Sequence, residues 1–287
     1  MTAIQVSDSR ILLLSSNPDS NVGRVLNGTK KSRCKYTIPG LLQRDANSTT
    51  HLTIKLLHCE IPHSIFVFTS VNNLLRITSG LVTYDVEIEE GNYDGSSLIN
   101  FLQVWFDANA SSLNMPITLS SSTGKLTFAA TSSFSISDES TCSKQLGFDL
   151  AIPSSYDSLL SKHVITCPYL MDLSGLKAIH IRCPSLSLSS FNSLSRVTDV
   201  LQSIQVNVPP FGLIMFNKLT QGGDLVIKGI SQSNETEILL VDGSTGLELD
   251  FQNLDWLLNI QITKHQYIQS NPTYFAEQEV DLGNDSF

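Results

Sequence analysis

Hydrophobic and polar residues alternate over much of this chain, a pattern typical of β-strands with one buried face and one face in water. The clearest example lies in residues 237–264, where two apolar runs flank the turn residues Asp242, Gly243 and Gly246. In the second run one face carries Trp256, Leu258, Ile260 and Ile262, and the other carries Leu257, Asn259, Gln261 and Thr263. This alternation predicts a half-buried strand near the end of a chain that consists mostly of strands.

Residues 51–62 are the first clear predicted strand. Leu52, Ile54 and Leu56 share one face, and Pro62 ends the strand because proline cannot donate to a sheet ladder. Continued alternation would place His58 and Glu60 on the apolar face and Cys59 on the opposite face. The same reasoning predicts further strands at 65–69, 74–78, 164–167, 178–183, 201–208, 213–217, 224–228, 237–241 and 256–264.

Residues 82–150 differ from the rest of the chain and predict a compact β-α-β-β subdomain. A strand at 82–89 is followed by the turn sequence GNYDG and by a helix that Ser96 or Ser97 caps and that runs to about residue 108. Residues 117–119 and 125–129 are predicted to form a hairpin, with a short strand at 134–137. One helical turn at 142–148 is expected to close at Gly147.

Together these elements predict a fold that is mainly all-β. About eight antiparallel strands outside the central segment fit two packed sheets with Greek-key connections, a single jelly-roll β-sandwich formed by residues 51–81 and 151–264. The small β-α-β-β subdomain at 82–150 is inserted into it. Residues 1–50 lack sustained periodicity and are predicted to be an extended N-terminal arm, and residues 265–287 a polar C-terminal tail.

Charge is scarce and unevenly distributed. Of 287 residues 41% are hydrophobic and only 16% are charged, against about 25% in a typical soluble protein. This favours a surface covered by neighbouring proteins, although a monomer with a Ser/Thr-rich surface would have the same composition. Residues 1–46 carry seven basic and three acidic side chains, so their net charge of +4 leaves −13 on the rest. A basic arm could contact a nucleic acid weakly or an acidic neighbour, and a solvated leader is the alternative.

Cysteine usage and hydropathy add two expectations. The five cysteines Cys34, Cys59, Cys142, Cys167 and Cys183 show no zinc-binding spacing, which predicts buried free thiols in a protein assembled in a reducing compartment. The N-terminus is polar and predicts no signal peptide. No apolar run approaches the roughly 18 residues that cross a membrane, so no membrane span is expected.

Residues that could support chemistry do not form a recognisable motif. His51, His58, Cys59, Glu60 and His63 lie close together in sequence, but the predicted strand separates them, and ordinary strand-end residues explain them. The turn at Asp242 lacks the ligand spacing of a calcium loop, and Ser174, His163 and His180 lack the nucleophile-elbow motif of a hydrolase. The sequence therefore predicts no enzyme, with no catalytic, cofactor-binding or metal-binding residues and no cofactor.

The order of several segments resembles the minor capsid, or penton, proteins of double-stranded DNA viruses whose major capsid protein is a double jelly roll, such as virophages and polinton-like viruses. The matching segments are LTIKLLHCEIPHSIF (52–66), GNYDGSSL (91–98), TGKLTF (123–128), SKQLGF (143–148), MDLSGLKAIHI (171–181) and LELDFQNLDWLLNIQI (247–262). The resemblance implies a single jelly roll with an insertion, which forms pentamers at the fivefold vertices of an icosahedral capsid. It implies no catalytic residues.

From this resemblance the predicted function is a structural role in the virion, with assembly in the cytoplasm or nucleus of the host cell. The expected partners are further copies of the chain, as a pentamer, and the major capsid protein; the N-terminal arm would add a weak genome contact. Two alternatives remain open. One is a cement-type minor capsid protein beneath the major capsomers, and the other is a jelly-roll module that binds a glycan or receptor, with Tyr93 at an exposed tip or packed within the turn.

Overall fold

In the computed structural model of the protein, the residues described are 3–17, 23–38, 50–188, 199–217, 225–229 and 235–269. The chain divides into two compact units. One comprises Met1–Ser64 and Ala178–Phe287 and is called the sandwich unit below. The other, Ile65–Lys177, is called the inserted unit because it interrupts the sandwich unit in sequence.

The secondary structure is almost entirely strands. The sandwich unit begins with β1 (Ala3–Ser15), β2 (Gly23–Val25), a 3-10 turn (Gly28–Lys30), β3 (Arg33–Thr37) and β4 (Thr50–Pro62). The inserted unit contains β5 (Leu74–Ser79), β6 (Val82–Glu87), α1 (Gly95–Asn109), a 3-10 turn (Ser111–Leu113), β7 (Ile117–Leu119), β8 (Leu126–Ala130), β9 (Ser135–Ile136), α2 (Ser143–Leu146), β10 (Ile152–Pro153), β11 (Ser155–Asp157) and β12 (Lys162–Thr166). The sandwich unit resumes with β13 (Ala178–Arg182), β14 (Ser187–Leu188), β15 (Val200–Gln205), β16 (Leu213–Asn217), β17 (Leu225–Gly229), β18 (Glu235–Asp242) and β19 (Leu257–Gln269).

The strand order of the sandwich unit is that of a jelly roll. One sheet has the order β1-β19-β4-β17-β14, with β16 also beside β4, and the other has the order β15-β13-β18-β3-β2. Numbered along the chain, with β16 and β17 together as the sixth strand and the short β2 and β14 left out, the first sheet runs 1-8-3-6 and the second 2-7-4-5. This is the interleaved order of two Greek keys. The inserted unit lies between the third and fourth of these strands.

The core of the sandwich unit is formed by the inner faces of its two sheets. Directly opposed residues on β4 and β19, such as Ile54 with Ile262 and Cys59 with Leu258, are almost completely buried. The other sheet buries its own alternate residues: Cys34, Tyr36, Ile179, Ile181, Ile204, Ile238 and Leu240. Two hydrogen bonds join the ends of β1 and β19 to the segment that contains β3 in the other sheet. Tyr36 Oη donates to the Ser15 carbonyl (2.8 Å), and Trp256 Nε1 donates to the Lys31 carbonyl (2.7 Å).

A bulge in β4 changes which side chains face this core. Asn259 of β19 lies opposite His58, but the next residue, Ile260, lies opposite Leu56, so Leu57 is an extra residue in β4. An extra residue inverts the alternation beyond it. The predicted orientation of His58, Cys59 and Glu60 is therefore wrong: Cys59 is fully buried, and His58 and Glu60 lie on the outer face.

The inserted unit contains two four-stranded antiparallel sheets, β10-β9-β5-β6 and β11-β12-β8-β7, and the helix α1. The predicted helix is confirmed, and its apolar side buries Leu98, Leu102 and Phe106 at a spacing of four residues. Its cap is Asp94 instead of Ser96 or Ser97: the Asp94 carboxylate accepts from the Ser97 N–H, and the Ser97 hydroxyl accepts from the Asp94 N–H. The helical turn that ends at Gly147 is also present.

The units have different limits from the predicted domains. The inserted unit spans Ile65–Lys177 and not 82–150, because β5, β11 and β12 pair within it.

Residues 3–15, predicted as part of an extended arm, form β1, which pairs with β19 along its whole length. The beginning of the predicted tail, residues 265–269, belongs to β19; residues 270–287 lie outside the described residues. The predicted strand at 65–69 is not one of the strands, and only Phe68 makes an isolated bridge, to Gly91.

Candidate assembly surface

The outer face of the six-stranded sheet is the candidate assembly surface of the sandwich unit. Here "outer face" means the side chains that point away from the core on β1, β19, β4 and β16. Register places them in rows across the sheet. One row contains Leu13, Asn259, His58 and Asn217, and the next contains Ser15, Leu257, Glu60 and Met215.

The outer face is apolar at both margins. On β1, Ile11 and Leu13 are each 67% exposed, and on β16 Met215 is 61% exposed and Leu213 48%. Single exposed apolar residues are normal, but pairs at alternate positions of one strand form a continuous apolar strip. Such strips rimmed by polar groups are typical of surfaces that associate with other proteins.

The middle of the outer face is polar and provides directional contacts. His58 Nε2 lies 3.1 Å from Glu60 Oε1. The neighbouring Asn259 side chain holds a buried carbonyl oxygen, Oδ1, that accepts no hydrogen bond from the described residues. A buried acceptor without a donor costs about 1–3 kcal/mol. The outer face can therefore bind a partner through apolar contacts and hydrogen bonds.

The margin at β1 is also a free sheet edge. Among the described residues β1 pairs with β19 alone, so one side of its backbone makes no ladder. The pairing with β19 covers all thirteen residues without a register shift. Edge strands of natural proteins are usually short, bulged or interrupted by proline, because a long regular edge accepts a further strand.

The cluster considered for metal binding is divided by the fold. Cys59 faces the core while His58 and Glu60 face outward, and His63 Nδ1 lies 3.0 Å from the Val208 carbonyl oxygen. The side chain of His51 lies outside the described residues. No group of three or more His, Cys, Asp or Glu residues in the described ranges is arranged to hold a metal ion.

The carboxylate of Asp242 and the hydroxyl of Ser174, which were considered for calcium binding and catalysis, form hydrogen bonds within local turns. Asp242 Oδ1 accepts from the Ser244 N–H and Oγ, each at 2.7 Å, and from the Thr245 N–H. Burial by itself raises the pKa of Asp242, but these hydrogen bonds to its charged form outweigh burial and hold the pKa below its ordinary value. The Ser174 hydroxyl donates to Asp172, and His163 contacts the ring of Tyr156 edge-on.

Aromatic residues considered for ligand binding are packed. The ring of Tyr93 lies edge-on to Phe68 at 5.5 Å and to Phe101 at 6.0 Å, and its hydroxyl donates to the Glu89 carbonyl. The packed alternative for Tyr93 is therefore confirmed. Trp256 is fully buried in the sandwich unit, and Trp105 is half-buried against Phe106.

Three of the seven basic residues near the N-terminus are paired with carboxylates of the same chain. Lys31 Nζ lies 2.8 Å from Asp255 Oδ1, and Lys35 Nζ 2.5 Å from Glu235. Arg33 lies between Glu237 and Glu248. Arg44 lies outside the described residues. These pairs neutralise part of the positive charge that the sequence assigned to a nucleic-acid contact.

All five cysteines are buried and unpaired, as predicted. Burial raises the pKa of Cys34 and Cys167 to about 11 and that of Cys59, Cys142 and Cys183 to about 12. Since the thiolate is the reactive form, all five are expected to be inert in the native state.

We therefore expect native protein at pH 8 to take up no thiol reagent on the time scale in which a free thiol is consumed. Unfolded protein in guanidinium should take up five equivalents. Mass spectrometry after iodoacetamide treatment measures both numbers. Rapid native labelling at any one cysteine would contradict the burial described for that side chain.

The residues that sequence reasoning missed are those at the margins of the outer face. Residues 11–14 (ILLL) and 213–216 (LIMF) are apolar at every position, so each strand offers apolar groups to both faces. In a strand with a single core-facing side, half of such a run must be exposed. These runs could have indicated an exposed apolar surface. Whether such a strand is buried on one face or on both, however, depends on which layers pack against it.

Known structures similar to this chain include a crystal structure and a cryo-EM structure. No protein-family model matches the chain, and no curated protein sequence matches it. The crystal structure of the mavirus penton protein is similar with 10% identity and a TM-score of 0.48, over 92% of this chain and 100% of that one. A chain in the cryo-EM structure of the Sputnik virophage is similar with 12% identity and a TM-score of 0.40, over 90% of this chain and 97% of that one. Within the part of the chain that is described, no helix is long and apolar enough to span a membrane.

Proposed function

We propose that this chain is a structural protein of a virion and acts as a penton, the minor capsid protein that forms pentamers at the vertices of an icosahedral shell. One observation carries the proposal: the sequence segments that resemble penton proteins fall on defined elements of both units. Residues 52–66 cover most of β4, and 91–98 form the turn and first residues of α1. Residues 123–128 enter β8, 143–148 contain α2, 171–181 run into β13, and 247–262 run into β19.

The fold supports the proposal because it has the architecture that the resemblance implies. The sandwich unit has the strand order of a single jelly roll, and the inserted unit interrupts it between the third and fourth strands. A jelly roll alone serves many functions. The combination of strand order, insertion point and ordered sequence segments is what favours a capsid role.

The outer face supplies the type of contact that such a role needs. A pentamer is a cyclic ring in which each copy presents one surface to the next and a different surface to the previous copy. Permanent interfaces bury on the order of 2,000 Å² or more and are more apolar than ordinary surface. The apolar margins of the outer face, Ile11 with Leu13 and Leu213 with Met215, supply apolar groups for such a contact.

The partners in this proposal are further copies of the chain and the major capsid protein, and the site of action is the virion. Genome contact through the basic residues plays a smaller part than their number indicates, because Lys31, Arg33 and Lys35 are paired with carboxylates of the same chain.

Native mass spectrometry of the purified chain tests the proposal. We expect a species of five times 31.5 kDa, alone or after addition of the major capsid protein, and a vertex position in cryo-EM images of particles. A strict monomer that binds beneath major capsomers would contradict it and would support a cement protein.

A matched pair of variants tests the surface. Met215→Glu places a charge on the apolar margin of the outer face, whereas Leu81→Glu changes a fully exposed residue at a hairpin turn of the inserted unit. We expect Met215→Glu to reduce the pentameric fraction at least about tenfold, since a buried unpaired charge costs several kcal/mol, and Leu81→Glu to leave it unchanged. Equal effects of the two variants would show that this face is not the contact.

A further inference from the structure

The free edge at β1 has features that fit a specific partner. β1 is thirteen residues long, has no proline, and pairs with β19 without a bulge. It therefore lacks the short length, bulge and proline by which many natural edge strands avoid further pairing, and the charges of Asp8 and Arg10 are its one remaining feature of that kind. A strand added to this edge would bond to the backbone over a long distance, and the side chains of β1 would decide which strand fits.

Two exposed charges on β1, one of which, Asp8, also lies opposite Lys264 of β19 in the same chain, indicate what that strand is. Asp8 and Arg10 are both exposed and point to the same side of the sheet, because they are two residues apart. Neither makes an ion pair with a described residue. Between them lies Ser9, exposed on the opposite side, where its hydroxyl is 3.0 Å from that of Thr263.

The sequence of β1 is complementary to itself in one register. When two copies of Ala3–Ser15 pair antiparallel over their full length, residue 3 lies opposite residue 15 and Ser9 lies opposite its own copy. The same register places Asp8 of each copy opposite Arg10 of the other, and directly opposed cross-strand charges of opposite sign stabilise a pair. Every other register shortens the ladder, and none leaves both charge pairs directly opposed. Full-length pairing and charge pairing thus select the same register.

We propose that β1 pairs with β1 of a second copy of this chain, with Ser9 on the twofold axis and Asp8 opposite Arg10 in both directions. The two six-stranded sheets then continue into one another across the edge. Ile11 and Leu13 of both copies lie on the joint outer face, opposite residues 7 and 5 of the partner strand. This interface joins two chains and no more, and it is independent of a fivefold ring, which needs unlike surfaces.

Disulfide cross-linking of Ser9→Cys tests the register. Opposed residues of an antiparallel pair have Cα atoms roughly 4.5–5.5 Å apart, within the range of a disulfide. We expect mild oxidation of the full-length Ser9→Cys protein to give a covalent dimer of twice 31.5 kDa. All five native cysteines are buried, so the background is low.

Leu13→Cys is the matched control, because Leu13 is equally accessible on the same face of β1. In the proposed register it lies opposite residue 5, and its own copy is about 27 Å away along the strand, at about 3.4 Å per residue. It should not cross-link. If Ser9→Cys gives no more dimer than Leu13→Cys, the proposal is overturned. A strand from another protein on this edge would give that result.

A charge exchange tests the pairing without cross-linking. Asp8→Arg and Arg10→Asp each place like charges opposite one another twice. We expect each variant to weaken self-association at least about tenfold, because two pairs of like charges then lie directly opposed. An equimolar mixture of the two should associate as well as the unchanged protein, since the two arginines of one variant then lie opposite the two aspartates of the other. Circular dichroism before mixing verifies that both variants are folded.

Analytical ultracentrifugation measures the self-association of each variant and the association in their equimolar mixture. Failure of the mixture to recover association, with both variants folded, would overturn the proposal. This test of the β1 interface is separate from the test of the proposed penton function. A ring of five that is insensitive to these exchanges would keep the penton role and reject the β1 interface, while association that follows them would support the β1 interface whether or not a ring of five forms.

Discussion

Replacing Trp256 by alanine is expected to lower the free energy of unfolding of the sandwich unit by about 3–5 kcal/mol, the range for a buried aromatic residue that leaves a cavity. Trp256 is among the largest fully buried side chains, with 1% of its surface exposed. It lies immediately before β19, and its N–H and C=O bond to the hydroxyl and the N–H of Ser16 after β1. The substitution removes packing at the point where these two strands are joined to the loop at Lys31.

Trp256→Phe separates packing from hydrogen bonding. It keeps most of the apolar volume but removes the indole N–H, so the Lys31 carbonyl loses its 2.7 Å hydrogen bond. The cost should be smaller, about 1–3 kcal/mol for an acceptor left without its partner. Urea unfolding followed by far-ultraviolet circular dichroism measures both. A Trp256→Ala variant no less stable than Trp256→Phe would refute the described packing.

Replacing Gly147 by alanine should destabilise the inserted unit by about 2–5 kcal/mol. Gly147 ends α2 with φ +87°, and a Cβ atom there would lie 2.4 Å from the Tyr169 carbonyl oxygen and 2.9 Å from that of Leu170. The left-handed backbone alone costs a residue with a Cβ about 1–2 kcal/mol. The contact adds about 1–3 kcal/mol, because the backbone itself must move.

Gly80→Ala is the control for this prediction. Gly80 has φ +61° in the same unit, but a Cβ atom there would meet nothing within 4 Å. Its substitution should therefore cost only the conformational part, about 1–2 kcal/mol. Hydrogen exchange of the backbone amides of α2 and of residues 169–171 locates the effect of Gly147→Ala. An equal loss of unfolding free energy in the two variants would mean that residues 169–170 move to accommodate the added methyl group.

Much of the inserted unit could be predicted from local sequence, since its contacts are mostly between neighbouring elements. The strand at 117–119 and the helical turn that Gly147 closes have the predicted positions, because turn residues and caps act within a few residues. Its limits could not be predicted. β11 pairs with the nearby β12, but the partner of β12 on its other side, β8, lies over thirty residues earlier, and sequence periodicity does not show pairing at that distance.

The candidate surface was less predictable than the fold. Exposure of Ile11, Leu13 and Met215 follows from the position of β1 and β16 beside the central strands, with a core on one side only. The same apolar runs in a strand covered on both faces would be fully buried. Likewise the segment that contains β1 resembled an extended arm, because its partner β19 is about 250 positions away in the chain.

By itself the sequence determined the fold class and the buried side of its clearest strand. Trp256, Leu258, Ile260 and Ile262 alternate with period two and are all buried, because side-chain direction in a regular strand depends only on the strand's own geometry. The tertiary structure alone decided that His58 and Glu60 face outward and Cys59 inward. The bulge at Leu57 that inverts this part of β4 exists only in its register with β19, and the register depends on residues two hundred positions away.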